Sequence, residues 1–197
     1  EKKIMVLNYR RGRVGEVPWT RGWDKYMFLN STQESELLKV HPGVKTRVLP
    51  PCTDLKMFFD TKIDYEDGIR IVRHSSQGDT KFAKDVSKEI EGILTREDGC
   101  ISMMPGPSFI PPSDRFLKFA RSADPCFIAQ FLGTGNLFWY SLPVGYMDMG
   151  PRVILEAMAA GLPIMADNWG GAVDRVTPET GWLVNDKEEY SKIVKNL

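Results

Sequence analysis

Two carboxylates, Asp148 and Glu156, open the chemical reading of this chain. They flank and enter a short predicted helix within MDMGPRVILEAMAAGLPIMADNWGGAVDRVTPETGW, residues 147–182. Gly150-Pro151 opens that helix, because the missing N–H of proline is no loss at the first helical position. Gly161 closes it as a left-handed cap, after about three turns. The helix start carries unpaired N–H groups and a partial positive charge, so it can hold a phosphate or a sugar oxygen. Val153, Ile154, Ala157 and Met158 are expected to face the core. Glu156 projects from another face, toward a ligand or toward Arg152 one turn back. A buried strand, the turn Trp169-Gly170-Gly171, a second short helix and a further strand follow. In α/β proteins such an order builds a pocket for a nucleotide and a sugar at the carboxyl ends of strands.

Those residues need a sheet to hold them. Residues 4–8 (IMVLN), 26–30 (YMFLN) and 44–49 (VKTRVL) are expected strands. Ser31 caps a helix after the second, with Glu34 completing a capping box, and His41-Pro42-Gly43 ends it. Residues 9–22, with Arg10, Arg11 and Arg13, form a basic loop. Residues 50–67 are charged and interrupted by proline, a linker.

From residue 69 the pattern changes. IRIVRHSS is a strand running into a polar loop. Residues 81–94 place Phe82, Val86, Ile90, Ile93 and Leu94 at helical spacing. CISMMPGP, 100–107, is a strand ending in a Pro-Gly-Pro turn. Residues 113–123 are assigned to a short helix, FIAQFL and LFWYSLP to two further strands, and GTGN to a turn. A last helix starts near Asp186, where DKEE forms a second capping box. Strands alternating with helices predict an α/β protein with a doubly wound, mostly parallel sheet.

Composition narrows the function classes. Lys+Arg 26 balances Asp+Glu 26 over 197 residues, so the chain has no electrostatic footprint for nucleic acid, and no such partner is expected. No apolar run is long enough to span a membrane and no signal-peptide pattern opens the chain. Peripheral membrane contact stays compatible with the sequence. Cys52, Cys100 and Cys126 are scattered, and the two histidines are far apart. That pattern suits neither a disulfide framework nor a zinc site, and points to the cytoplasm. The chain opens on Glu1 rather than Met, so a longer parent is expected.

The spacing of Asp148 and Glu156, followed by LEAMAAGLPI and WGG, resembles the signature of the retaining group 1, or family-four, glycosyltransferases of the GT-B fold. Their motif is Glu, seven residues, Glu, usually with Phe-Gly after the first Glu. Here Asp148 stands at the first Glu and Met149 at the Phe, while Gly150 and Glu156 match. Asp keeps the charge and is one methylene shorter. The resemblance covers residues 23–197 and is densest over 69–185. In this family a strand ending in Arg, a loop and a Lys hold the donor diphosphate, and IVRHSSQGDTKF places Arg73 and Lys81 there. Two converging cations make strong charge-assisted contacts to a diphosphate. NWGGAVDRV resembles the family's Gly-Gly loop, where Asn168, Gly170 and Gly171 would line the donor pocket or simply make a turn.

The resemblance implies a Rossmann-like donor-binding domain over residues 61–197. Residues 1–60 would be the end of the acceptor-side domain and its crossover, with most of that first domain outside this chain. It implies transfer of a sugar from a nucleoside-diphosphate sugar to an acceptor that the sequence does not identify, in glycan or cell-surface polysaccharide synthesis. Glu156 would hold the ribose. Arg73, Lys81 and the helix start at Met149, Gly150 and Pro151 would hold the diphosphate, and Asp148 would approach the donor sugar. No cofactor and no metal are expected, since cationic side chains take the metal's role. His74 would reach a phosphate or sit in a loop, and His41 would be a surface histidine. Trp19, Trp23, Trp139, Trp169 and Trp182 default to core packing, although Trp169 sits in the site loop. A non-catalytic nucleotide-sugar-binding module and a GT-B-fold sugar-nucleotide epimerase remain as alternatives.

Overall fold

The computed structural model describes residues 2–7, 23–50, 52–63, 68–75, 78–81, 86–143, 145–146 and 148–197. The basic loop at residues 9–22 with its three arginines, Trp19, Phe82 and Met147 lie outside the described residues.

Strands β1 (Ile4–Leu7), β2 (Lys25–Phe28) and β3 (Thr46–Val48) form a parallel sheet in that order. Helix α1 (Ser31–Val40) covers one face and packs Leu37 against Tyr26 and Phe28. Its cap is Asn30, one residue earlier than the capping box predicts: the Asn30 side chain accepts from the Gln33 N–H at 2.9 Å. Asn30 and Ser31 are both good capping residues. The extended backbone at Asn30 decides between them.

The second sheet has six parallel strands: β4 (Arg70–His74), β5 (Cys100–Met104), β6 (Phe116–Lys118), β7 (Leu137–Tyr140), β8 (Ile164–Asp167) and β9 (Gly181–Val184). Their order is β6-β5-β4-β7-β8-β9. The chain winds outward from β4 to β6, then returns to start β7 on the other flank of β4. The winding direction therefore reverses between β4 and β7, where an open sheet leaves a crevice at its carboxyl edge. Helices α3 (Pro125–Gly133) and α4 (Arg152–Ala159) pack on one face, against Val72, Phe138 and Ile164. Helices α2 (Val86–Ile93) and α5 (Lys187–Asn196) pack on the other, against Ile71, Trp139 and Met165. Burial on both faces explains why β7 (LFWY) and most of β8 (IMAD) are apolar runs rather than alternating. Among the described residues no helix is long and apolar enough to cross a membrane.

Two predicted elements exchange identity. FIAQFL is helix α3, not a strand. Asp124 caps it by accepting from the Cys126 N–H at 3.0 Å, and Pro125 takes the first turn. A short apolar run does not by itself separate a buried helix from a buried strand. Residues 113–123, expected to be helical, hold strand β6, which pairs Phe116 with Ile101 at the sheet edge. Only Phe116 of that strand is buried, too sparse an apolar pattern for a packed helix.

Of the predicted linker at 50–67, residue 51 and residues 64–67 lie outside the described residues, and the stretch 52–63 is fastened down. Phe58 is 3% exposed and belongs to the core beneath α3 and α4. Helix α4 starts at Arg152 with Pro151 as its cap residue, so it runs about two turns rather than three. Its end is as predicted: Gly161 has φ 86°, its N–H donates to Met158 O, and the Leu162 N–H donates to Ala157 O, each at 3.0 Å. That is a Schellman closure. At the last helix, Asp186 accepts from the Glu188 N–H and Glu189 accepts from the Asn185 N–H, each at 3.0 Å.

Candidate functional site

Strand β4 delivers Arg73, His74 and Ser75 to the carboxyl edge of the sheet, all at most 4% exposed. The Arg73 guanidinium lies 5.5 Å from the centre of the Trp139 ring and 5.4 Å from that of Tyr140. Its Nη2 donates to Lys81 O at 3.0 Å. Burial lowers the Arg73 pKa, and the nearby Tyr140 and Glu89 oppose that shift. Packing a desolvated guanidinium between aromatic faces keeps it ordered.

Lys81 closes a single 3-10 turn (Asp79–Lys81) and is 7% exposed. Its Nζ donates to the Tyr140 hydroxyl at 3.1 Å and forms an ion pair with Asp148. The Tyr140 hydroxyl donates to the same Asp148 oxygen at 2.5 Å, and the Gly150 N–H donates to the other at 3.2 Å. Burial alone would raise the Asp148 pKa. The Lys81 charge and the hydrogen bonds from Lys81, Tyr140 and Gly150 outweigh it and hold the carboxyl below its usual range. Burial and the Asp148 charge push Tyr140 well above the usual tyrosine value, so it stays a neutral donor.

The Gly-Gly turn braces this loop. The Gly171 N–H donates to Asp148 O at 2.9 Å. A Cβ on Gly171 would come within 2.7 Å of Met149 O and 2.8 Å of Pro151 Cδ. Glycine is thus required here by the protein's own loop. Arg175, 7% exposed, donates Nη1 to Gly171 O at 2.6 Å, while its Nε and Nη2 have no hydrogen-bond partner among the described residues. Burial lowers the Arg175 pKa, and Asp148 opposes the shift.

The first sheet reaches the same loop. Asn30 Nδ2 donates to Met149 O at 2.9 Å, the Ser31 N–H to Asp174 at 2.7 Å, and the Thr32 hydroxyl to Gly170 O at 3.4 Å. The Glu156 carboxylate faces His74, with Oε2 3.7 Å from Nδ1.

The structure therefore gathers Arg73, Lys81, Asp148, Met149 and Gly150 at the point where the strand order reverses. Gly171 packs behind Asp148, Gly170 faces α1, and Glu156 stands beside the neighbour of Arg73. Pro151 supports the loop from the α4 cap. His41 lies at the α1 end. Trp139 is buried as expected. Trp23, Trp169 and Trp182 are at least 36% exposed, which corrects the core assignment for those three. Trp23 and Trp169 precede β2 and the Gly-Gly turn, and Trp182 lies on the edge strand β9, places where neighbouring elements cannot cover a large ring. Tyr140 and Arg175 escaped the sequence reading. Tyr140 is hidden in an apolar run, although a hydroxyl at the carboxyl end of a strand was a usable signal. No sequence pattern announces the burial of Arg175.

No family model matches this chain, and no curated protein matches it in sequence. Solved structures do match its fold. HepE of Anabaena, in complex with UDP and glucose, aligns with a TM-score of 0.70 at 14% identity, covering 99% of this chain and 61% of that one. WaaG, a glycosyltransferase involved in lipopolysaccharide biosynthesis, aligns at 0.64 and 15% identity, covering 87% and 52%. The lipopolysaccharide outer core galactosyltransferase WaaB aligns at 0.64 and 12%, covering 86% and 51%. The chain thus spans 51% to 61% of the length of these three structures. What it shares with them is an α/β, Rossmann-like fold of the GT-B glycosyltransferase kind.

Proposed function

We propose that this chain forms the donor-binding part of a retaining glycosyltransferase that moves a sugar from a nucleoside-diphosphate sugar to an acceptor. One observation carries the proposal: the buried Arg73 guanidinium stands at the strand-order reversal, hydrogen-bonded to the backbone of Lys81, whose ammonium faces the same crevice edge as Asp148. An α/β sheet binds phosphorylated ligands at that place. A lysine has three N–H donors. Among the described residues Tyr140 and Asp148 engage two of those of Lys81, which leaves one for a phosphate oxygen.

In this reading the bond between the sugar's anomeric carbon and the distal phosphate oxygen breaks. The acceptor oxygen bonds to the same face of the sugar, and its proton passes to the departing phosphate oxygen. Arg73 and Lys81 hold the negative charge that develops on the nucleoside diphosphate. Loss of one such donor weakens transition-state binding by about 2–4 kcal/mol. Glu156 takes the ribose hydroxyls, and Asp148, steadied by Lys81 and Tyr140, faces the sugar. The remainder of a two-domain enzyme would bring the acceptor, drawn from glycan or cell-surface polysaccharide synthesis.

Calorimetric titration with UDP, GDP and ADP tests this directly. One of the three should bind, and Arg73→Ala should weaken it at least tenfold. Absence of binding by all three at millimolar concentration overturns the proposal. Binding without hydrolysis or transfer by the longer parent chain would assign a non-catalytic nucleotide-sugar-binding module instead.

A further inference from the structure

His74 is 4% exposed, and neither of its ring nitrogens has a hydrogen-bond partner among the described residues. The Glu156 oxygen facing it, Oε2, is likewise buried and without a hydrogen bond. Buried polar atoms in folded proteins are nearly always satisfied, so a facing pair of unsatisfied groups marks a place where something is added or moves. The gap between Nδ1 and Oε2 is 3.7 Å, too long for a hydrogen bond and short enough that a small rotation of either side chain makes one. Hydrogen bonds at binding sites commonly tighten in this way when the ligand arrives. The Glu156 side chain is 14% exposed, so it is not sealed off from solvent.

We infer that His74 is a positioning residue for Glu156. Its Nδ1–H donates to Oε2 when the crevice is filled and fixes the carboxylate to accept a vicinal diol, the hydroxyl pair of a ribose. This deepens the proposed function and rests on it, since it assigns Glu156 the sugar end of a nucleotide. A carboxylate has lone pairs for two ligand hydroxyls and a third donor. His74 supplies that third donor from the protein side. Its place directly after Arg73 links the two ends of the ligand: one residue grips phosphate, the next orients the group that grips ribose.

The test compares three probes on the wild-type chain, His74→Phe and His74→Gln: UDP, its 2′,3′-dideoxy analogue and inorganic pyrophosphate. Another diphosphate pair replaces the first two where UDP is not the preferred base. The wild type should favour the ribonucleotide over the dideoxy form at least tenfold. His74→Phe should bring that ratio to within twofold of unity while pyrophosphate affinity stays within twofold of wild type. His74→Gln, whose amide can still donate, should keep most of the preference. The pyrophosphate arm also certifies that each variant is folded. A preference that survives in His74→Phe overturns the assignment, as does an equal loss of pyrophosphate binding, which would place His74 on phosphate. Equal binding of both nucleotides by the wild type overturns it too. Failure of the wild type to bind any probe sinks the donor-site proposal along with it, so the two failures are told apart.

Discussion

Two Lys-Asp-Tyr groups lie along the carboxyl edge of the six-stranded sheet, built from the same residue types with different residues left over. In one, Lys187 donates to both oxygens of Asp167 at 2.7 Å, to the Ser141 hydroxyl at 2.7 Å and to Leu142 O at 2.8 Å. Asp167 also receives the Tyr190 hydroxyl at 2.6 Å and the Leu142 N–H at 2.7 Å. Every donor on that lysine is used, and the group ties α5 and the segment after β7 to the end of β8. In the other, Lys81, Tyr140 and Asp148 meet at the crevice. Among the described residues the lysine keeps a donor, and Asp148 Oδ1 receives one bond, from Gly150 at 3.2 Å. A saturated group holds structure. An unsaturated one at a strand-order reversal has capacity for a ligand.

The largest expected effect lies on the saturated side. Asp167→Ala takes the counter-charge from Lys187 and the acceptor from the Tyr190 hydroxyl and the Leu142 N–H, in a site where Asp167 is only 15% exposed. Breaking one partner out of such a group costs about 3–5 kcal/mol. Urea unfolding should show that loss for Asp167→Ala and a smaller one for Asp148→Ala, which is as little exposed (16%) but receives one bond from its lysine where Asp167 receives two. Equal losses would abolish the distinction between the two groups.

Acid–base behaviour separates them next. Glu89 on α2 is 6% exposed, and burial pushes its pKa from 4.5 to about 7, with the Lys187 charge pulling the other way. The unfolded chain therefore releases this proton first. Stability falls as pH rises from about 4.5 to about 7 and levels off above, by about 3 kcal/mol in all. Asp148 behaves oppositely: its pKa is depressed, so its contribution is present at neutral pH and is lost only as pH falls below the ordinary carboxylate range. Glu89→Gln should remove the decline between about pH 4.5 and about pH 7 and be about 2–3 kcal/mol more stable than wild type at pH 8. A pH profile unchanged by that substitution would mean that Glu89 titrates in the folded protein like an exposed carboxylate.

The open group was far more legible in the sequence than the saturated one. Arg73, Lys81, Asp148 and Glu156 stand at strand ends and helix starts, where residue order along an α/β chain already implies nearness. Lys187, Asp167 and Tyr190 have ordinary types at ordinary positions. Their partnership depends on which way three side chains turn at the sheet edge. Strands β4, β5, β7, β8 and β9 were legible because breakers bound their apolar runs. Helix α3 and strand β6 were not, because an apolar hexamer fits both states and only the Asp124-Pro125 start signals the helix. Asn30 was beyond reach for another reason. Its bond to Met149 O spans 119 residues and joins two sheets, and no local pattern encodes such a pairing.

Lys81→Met is the finest test of the difference between the groups, because it separates folding from ligand capacity in one side chain. Arg73 bonds to the backbone oxygen of Lys81, so that anchor survives the substitution. Asp148 keeps the Tyr140 hydroxyl and the Gly150 N–H. Stability should therefore fall by less than in Lys187→Met, whose lysine makes four hydrogen bonds rather than two. Binding of a nucleoside diphosphate should weaken about thirtyfold, or about 2 kcal/mol, the worth of one charge-assisted hydrogen bond to phosphate. Lys187→Met should do the reverse, with a large loss in urea unfolding and little change in affinity per folded molecule. Calorimetry and urea titration on the two variants give four numbers. The comparison stands only if the large values fall on the diagonal: affinity for Lys81, stability for Lys187. A Lys81 variant that unfolds as easily as the Lys187 variant, yet binds the diphosphate as wild type does, would make the crevice lysine a second latch and leave Arg73 as the sole phosphate-binding cation of the pair.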